Sequence, residues 1–583
     1  MLRNHWAPTA APLARRAPRA GSWCTALAGL ALAIASCASP TAETAEKASV
    51  LLTGPRFYLG YPDWEAVQAL LVQDGKVVRA GSIDELLRAA PHARRIDLGP
   101  GFAVPGLQDA HGHVEGLGAS LEELDLRGTR SFEEVVARIA DRARGLPAGT
   151  WIEGRGWDQN LWPGASFPNH AALSERVPKH PVWVRRVDGH AALANQAALA
   201  AAGLDRPITA EDAVEGGEVL VDDQGRPTGV FVDAAMALVR DALPKPDDAT
   251  RERRLLLAHD ALLAAGLTAV HDMGVDAWTV HTVQRLRDEG RWKLRMVMYL
   301  SMGPKTDPAE LDGFPLAPDA RDVVAVPGVK LYIDGALGSR GAALLEDYSD
   351  RAGYRGLLLM EPAKLEELVN LCAQKGLQPA VHAIGDRGNR VVLDAYEKAE
   401  KAHADFKALR PRIEHAQVVS PYDWSRFERL GVVPSMQPTH CTSDMPWVPE
   451  RLGEERMRGA YAWRFLAPKP AVLALGSDFP VERPDPLEGL YAARTRQDAA
   501  GSPPGGFFPD QRLDAKEALT GFTWGAARAC GQEERRGRLQ PGYAADLTVL
   551  SVDPLRGTPA ELLKARALRT VIQGEVAFPT GGF

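Results

Sequence analysis

Cysteine is scarce in this chain: five among 583 residues, with no CxxC pair. That excludes a disulfide-stapled scaffold and a cysteine-ligated zinc module. Cys372 falls on an expected helix, where a free thiol packs as a small apolar group. Cys441 follows His440 near a candidate pocket, but the histidine and aspartate pattern of the chain argues against a nucleophile there, and Cys530 is widely spaced from both Cys372 and Cys441. Charge of one sign is also missing. Lys and Arg number 68 against 75 Asp and Glu, a formal net charge of −7, and no basic stripe stands out. Nucleic acid is therefore not an expected partner. No internal repeat is visible. What is present is ordinary globular composition, 45% apolar and 25% charged, which suffices for a large core.

The first residues read as a processing segment. Arg3, Arg15, Arg16 and Arg19 form a positive start, and 23–34 is an apolar run too short to span a membrane. The run ends in Ile34-Ala35-Ser36-Cys37, which resembles a bacterial lipobox, with Cys37 as the lipidated first residue of the mature chain. The alternative is an ordinary signal peptide cleaved near Ser36. Removal takes away four arginines and no acids, so the mature chain is the more acidic. Residues 38–49 are small, polar and Thr/Glu-rich, a flexible tether. The expected location is the bacterial cell envelope, lipid-anchored outside the cytoplasm.

After the tether, 50–100 reads as short strands and turns, with a hairpin at Asp74-Gly75. Residues 537–583 have the same character, so the two ends are expected to share one small β-sandwich domain. Between them, 101–536 alternates strands and helices, the pattern of parallel βαβ units. Candidate barrel strands are 102–108, 267–271, 294–300, 329–333, 379–382, 412–415, 432–436 and 472–476. Eight such strands make a (β/α)8 TIM-like barrel. Helices are expected over 251–265 and 363–375, each followed by a glycine. The stretch 115–250 is too long for one connection and reads as an inserted lid subdomain after the first strand.

Six side chains fall at the ends of these apolar runs: His111, His113, Lys330, His382, His415 and Asp478. A parallel barrel gathers its strand ends at one mouth, so they can meet. His111 and His113 are two apart and point the same way in an extended segment. An isolated HxH is equally compatible with two satisfied histidines. His382 and His415 end strand-like runs, where an imidazole needs a partner; a core histidine bonded to backbone is the bland reading of either alone. Asp478 is costly to bury unless paired or metal-bound. It suits both a metal ligand and the general base that takes the proton of an attacking water. Lys330 either lies on the outer face of its strand or points inward, where carboxylation by CO2 would make it an anionic metal bridge.

Together these residues resemble the amidohydrolase superfamily: HxH on strand one, Lys on four, His on five and six, Asp on eight. The resemblance is closer to amidohydrolase family 3, the YtcJ-like and N-substituted formamide deformylase-like group. It rests on 154–163, 185–199, 329–350, 381–390, "RIEHAQ" and "LGSDFPVE", and spans about residues 50–580. It implies a metal-dependent hydrolase of C–N bonds other than peptide bonds, acting on a small amide, N-acyl or N-formyl amine. It implies one or two divalent cations, zinc foremost, although manganese and iron also accept N/O ligands. Asp188 and His190 resemble the family's DGH segment and are candidates for substrate contact from the lid. His440 and Asp444 after strand seven, and Asp334 and Arg340 after strand four, are candidates at the mouth. A salt bridge is the other reading of Arg340. Trp157 and Trp162 are either an apolar wall for substrate or lid packing. The rival functions are a lipid-anchored binder without turnover and a lactone or phosphotriester hydrolase on the same site.

Overall fold

The computed structural model describes residues 49–579, apart from 187–188, 190, 215–216, 319–321 and 470–471. The signal segment, Cys37, nearly all of the tether, Asp188 and His190 lie outside the described residues. No helix among the described residues is long and apolar enough to cross a membrane.

Eight parallel strands form the central sheet: Leu107–Gly112, Leu267–Val275, Arg295–Ser301, Val324–Tyr332, Gln378–Ala383, Arg412–His415, Val433–Met436 and Ala474–Leu475. They are buried nearly throughout, as expected where helices cover a parallel sheet. The ends of the first and eighth strands meet through a parallel bridge between Gly112 and Phe479. Asp478 N–H donates to His111 O at 2.7 Å and His113 N–H to Phe479 O at 2.8 Å. The barrel is thus closed at its mouth by the segments that carry the HGH run and Asp478. The helix Pro362–Lys375 starts with proline at its first turn and stops at Gly376, whose φ of 69° suits a residue without a Cβ.

The expected first strand, 102–108, divides in two. Phe102–Pro105 joins the small domain by pairing with Leu547–Leu550 and Arg56–Tyr58, and the barrel strand starts only at Leu107. The change of sheet falls at Gly106, where a Cβ would come within 2.2 Å of Thr268 Oγ1. The expected fourth strand at 329–333 starts earlier, at Val324, and the eighth is only Ala474–Leu475.

Two further sheets lie beside the barrel. One has four strands: Lys76–Gly81, Ala69–Gln73, Val50–Thr53 and Arg94–Asp97. The Asp74-Gly75 turn joins the first two with φ of 51° and 73°, the positive pair a two-residue hairpin requires. The other, of six strands, interleaves both ends of the described chain, because Leu547–Leu550, Ala567–Ile572 and Glu575–Phe578 pair onward from Phe102–Pro105. Leu52, Phe57, Leu70, Leu547 and Val571 form their shared core.

The segment between the helices Val114–Glu122 and Asp248–Ala264 builds its own six-stranded sheet, from Leu124–Asp125 to Pro227–Asp233. Its cores are separate from the barrel's. Its two stems cross closely. A Cβ on Gly118 would meet Arg254 O at 2.0 Å, and Glu122 accepts from Arg253 and Arg254 at 2.7 and 2.8 Å.

The far end of the barrel is plugged by C-terminal segments. Gln108 donates to Thr523 O at 3.1 Å and Gln378 to Ala529 O at 2.8 Å. Arg295, buried on the third strand, binds the Asp546 carboxylate of the small domain at 2.5 and 2.9 Å. The Asp322 carboxylate also stands 3.3 Å from the guanidinium, so loss of Asp546 leaves Arg295 with one carboxylate in place of two and removes two charge-assisted hydrogen bonds. Asp546→Ala is therefore expected to lower stability by about 1–3 kcal/mol, read from the urea midpoint at unchanged slope. A loss as small as that for an exposed pair, under about 1 kcal/mol, would contradict this role for the clamp.

Candidate metal centre

The first strand runs Asp109-Ala110-His111-Gly112-His113, so alternate residues share a face. His111 is fully buried, and its Nδ1 donates to Glu414 Oε2 at 2.7 Å. Its Nε2 faces the mouth, 3.2 Å from Lys330 Nζ and 3.5 Å from Asp478 Oδ1. His113 is less buried, and its Nε2 stands 3.1 Å from the same carboxylate oxygen. Gly112 between them has no room for a side chain: a Cβ would run into the Phe479 ring at 2.3 Å. Asp478 adopts φ 59°, so its N–H reaches His111 O while its carboxylate turns back toward the histidines. Asp109 locks the same seam, accepting from Ser477 Oγ at 2.7 Å and from His111 N–H at 3.0 Å.

His382 and His415 complete the cluster from strands five and six. Their rings are 4.6 Å apart, and His415 lies 4.8 Å from the His111 ring. His415 Nδ1 bonds Gln437 Oε1 at 2.9 Å, which turns its Nε2 toward the centre. Lys330 points inward, almost fully buried, with Nζ 4.9 Å from the centre of the Tyr332 ring. His440 joins from beyond strand seven. Its Nε2 is 3.7 Å from Asp478 Oδ2, and its ring lies 5.9 Å from that of His415.

The electrostatics favour neutral imidazoles at His111, His382 and His415 beside an ionised Asp478 carboxylate. Burial, with Lys330 nearby, lowers His111 to about 4 and His382 to about 3. Burial pushes the Asp478 carboxyl up, but His111, His113, His415 and His440 outweigh it and hold it well below the usual range. Burial also lowers the Lys330 amine to about 8. Among the described residues, Asp478 Oδ1 and the Nε2 atoms of His382 and His440 are buried without a hydrogen-bond partner. Unsatisfied buried acceptors are costly, and a divalent cation satisfies several at once. His111, His113 and Asp478 offer ligand atoms within 4.8 Å of one another, as do His415, His440 and Asp478. Neutral imidazole nitrogens with a carboxylate oxygen are a donor set that zinc accepts, so the residues fit a metal.

The other described sequence candidates are engaged in structural contacts. Asp334 is buried beneath the site. Its carboxyl accepts from the N–H groups of Ala343, Ile384 and Gly385 at 2.9, 3.0 and 2.8 Å, and its Oδ1 is 3.6 Å from His382 Nε2. It ties the loop after strand four to the end of strand five. Arg340 binds Asp350 at 3.1 and 2.8 Å, and Arg451 shares that carboxylate, so the arginine fastens a loop. Asp444 accepts from Tyr461 Oη at 2.5 Å and Gln417 Nε2 at 3.0 Å. Trp157 and Trp162 pack in the core of the inserted sheet, with indole N–H groups donating to Val184 O at 2.8 Å and Thr129 O at 3.1 Å.

Sequence reasoning passed over three groups that face the site or stand behind it. Tyr332 follows Lys330 by two residues and its ring sits 5.4 Å from that of His382. Gln437 orients His415. Glu414 and Arg412 form a fully buried ion pair behind His111, at 2.7 and 3.0 Å. Two opposite charges two residues apart in a strand buried on both faces are the signal that points to this pair.

A closed parallel barrel whose strand ends gather histidines, a lysine and an aspartate around one point defines a metal-dependent hydrolase. The chain belongs to the amidohydrolase family, whose model matches residues 94–578. It is similar to the putative amidohydrolase YtcJ of Bacillus subtilis, 31% identical over 535 residues that cover 90% of this chain and 98% of that protein. It is also similar to the N-substituted formamide deformylase of Arthrobacter pascens, 27% identical over 88% of this chain and 95% of that one. Among solved structures, an uncharacterized metal-dependent hydrolase of Pyrococcus horikoshii aligns with TM-score 0.73 and 29% identity, over 88% of this chain and 99% of its own.

Proposed function

We propose that this protein hydrolyses the C–N bond of a small amide, N-acyl amine or N-formyl amine. The observation that carries this reading is the Asp478 carboxylate, aimed at the mouth within 3.1–3.7 Å of the Nε2 atoms of His111, His113 and His440. The name of the deformylase relative and the family membership support it. A bound divalent cation, for which zinc is the best match to the donor set, supplies an activated water and polarises the substrate carbonyl. His111, His113 and Asp478 hold it, with His382, His415 and Lys330 completing a one- or two-ion site. Asp478 is ionised at neutral pH and so accepts the proton of the attacking water. It then returns that proton to the leaving nitrogen, so the amide and one water become a carboxylic acid and an amine. Burial of the cluster keeps bulk water from competing for the carboxylate.

Asp478→Asn should lower kcat by roughly 100- to 10,000-fold, while substrate still binds. The assay is a panel of N-formyl and N-acyl amines with metal-loaded protein. Turnover of lactones or phosphotriesters in place of amides would overturn the C–N assignment. Binding without any turnover would make the barrel mouth a receptor.

We also infer that Lys330 is carboxylated. The reaction joins the neutral amine to CO2 and releases one proton, and burial brings the amine to about 8. Carbamate formation should therefore rise with pH through about 8, as the neutral amine is populated. With ¹³C-bicarbonate, a carbamate resonance is expected from the native protein and not from Lys330→Ala. Its absence at pH 9 with metal present would refute the modification.

Residues 1–37 support attachment to the cell envelope through a lipid on Cys37. Cys37→Ser is then expected to move the protein from the membrane fraction to the soluble fraction. Native protein already in the soluble fraction would favour the ordinary signal peptide, and Cys37→Ser protein that stays with the membrane would refute the lipid on Cys37.

A further inference from the structure

A neutral imidazole carries one N–H and one lone pair, and the partner of one nitrogen decides which face the other presents. At His111 that partner is Glu414, whose Oε2 lies 2.7 Å from Nδ1 with both side chains fully buried. An ionised carboxylate can only accept, so the hydrogen sits on Nδ1 and the Nε2 lone pair is left facing Asp478 and Lys330. Glu414 is fixed in turn by Arg412, which donates to it through Nε at 2.7 Å and Nη2 at 3.0 Å. Arg412 is anchored across the barrel interior. It donates to Ala110 O at 2.8 Å, Ser435 Oγ at 2.9 Å and Tyr299 Oη at 3.0 Å, and contacts His271 Nδ1 at 2.9 Å. Ala110 directly precedes His111, so one guanidinium fixes both the backbone beside the histidine and the carboxylate that orients its ring.

The other histidines of the site are held differently. His415 has a neutral amide, Gln437, behind its Nδ1 at 2.9 Å. His382 has no carboxylate bonded behind it: the Asp334 contact, 3.6 Å from Nε2, is beyond hydrogen-bond reach, and that carboxyl already serves three backbone N–H groups. A carboxylate behind a ligating imidazole fixes its tautomer and raises its basicity, whereas an amide orients without adding charge.

We propose that Glu414 is a positioning residue that makes the His111 side of the centre the high-affinity cation position. Arg412 holds it there, and the His382–His415 side is the weaker position. The proposal rests on the metal-dependent reading of the site given above.

Metal-free protein is titrated with Co2+, whose visible bands report the ligand field, and with Zn2+ in competition. For Glu414→Gln the first equivalent is expected to bind about 10–100-fold more weakly than to the native protein, with a shifted Co2+ spectrum. Near-ultraviolet circular dichroism should be unchanged. Glu414→Asp, which keeps the charge beside Arg412, should recover part of the affinity. Gln437→Met should leave the first equivalent at native affinity and weaken a later one. Native affinity and spectrum in Glu414→Gln would overturn the proposal. So would failure of both Glu414 variants to fold, because the pair would then serve the barrel core and not the cation. If the native protein itself takes up neither ion, the metal reading fails, which is a separate result from an unaltered Glu414→Gln.

Discussion

The architecture turns on one seam. Two backbone hydrogen bonds, from Asp478 to His111 O and from His113 to Phe479 O, join the first and last barrel strands at the mouth. The residues that close the sheet are also the ones that face its axis. A change of register here would leave Asp478 on the far side of the barrel wall from His111 and His113. Several local features guard that register: the absence of a side chain at Gly112 against Phe479, the positive φ of Asp478, and the Asp109 carboxyl bridging to Ser477. The seam and the site are a single piece of structure.

Below that mouth the barrel interior is unusually polar. Arg412, Glu414, His271, Tyr299 and Gln378 form a connected, fully buried network where a TIM-type barrel ordinarily stacks branched aliphatic residues. Buried ion pairs contribute little net stability, and an aliphatic filling would pack at least as well. The network instead fixes side-chain direction. His111 receives a charged partner from it, and the barrel floor receives Gln378, whose amide reaches the C-terminal plug. The small domain is tied in by the same means, through Arg295 and Asp546. Polar contacts in this molecule set geometry, while the aliphatic clusters around the strands and helices supply the burial.

Much of this was legible in the chain itself. Continuous apolar runs separated by amphipathic helices mark a parallel sheet, and the ligand residues sit where those runs end. The first strand was misplaced because 102–112 is apolar on both sides of Gly106, and periodicity cannot show a change of sheet. Side-chain direction in loops was also out of reach. Asp334, Arg340 and Asp444 all follow barrel strands, yet each is engaged by groups that the folding of the following loops brings back to it: backbone amides, Asp350 and Tyr461. Trp157 looked equally suited to a pocket wall or a core, and the inserted sheet places it in the core. The alternation of Arg412 and Glu414 inside a doubly buried strand marks an ion pair in the sequence, but the histidine that Glu414 orients lies 303 residues away and only the fold brings it there.

The convergence of His111, His113 and Asp478 on one cation is most directly tested by anomalous diffraction at the zinc edge from crystals grown with Zn2+. The structure predicts a strong anomalous peak between the two Nε2 atoms and the Asp478 carboxylate. A peak bound by other residues, with those three side chains left unliganded, would contradict it.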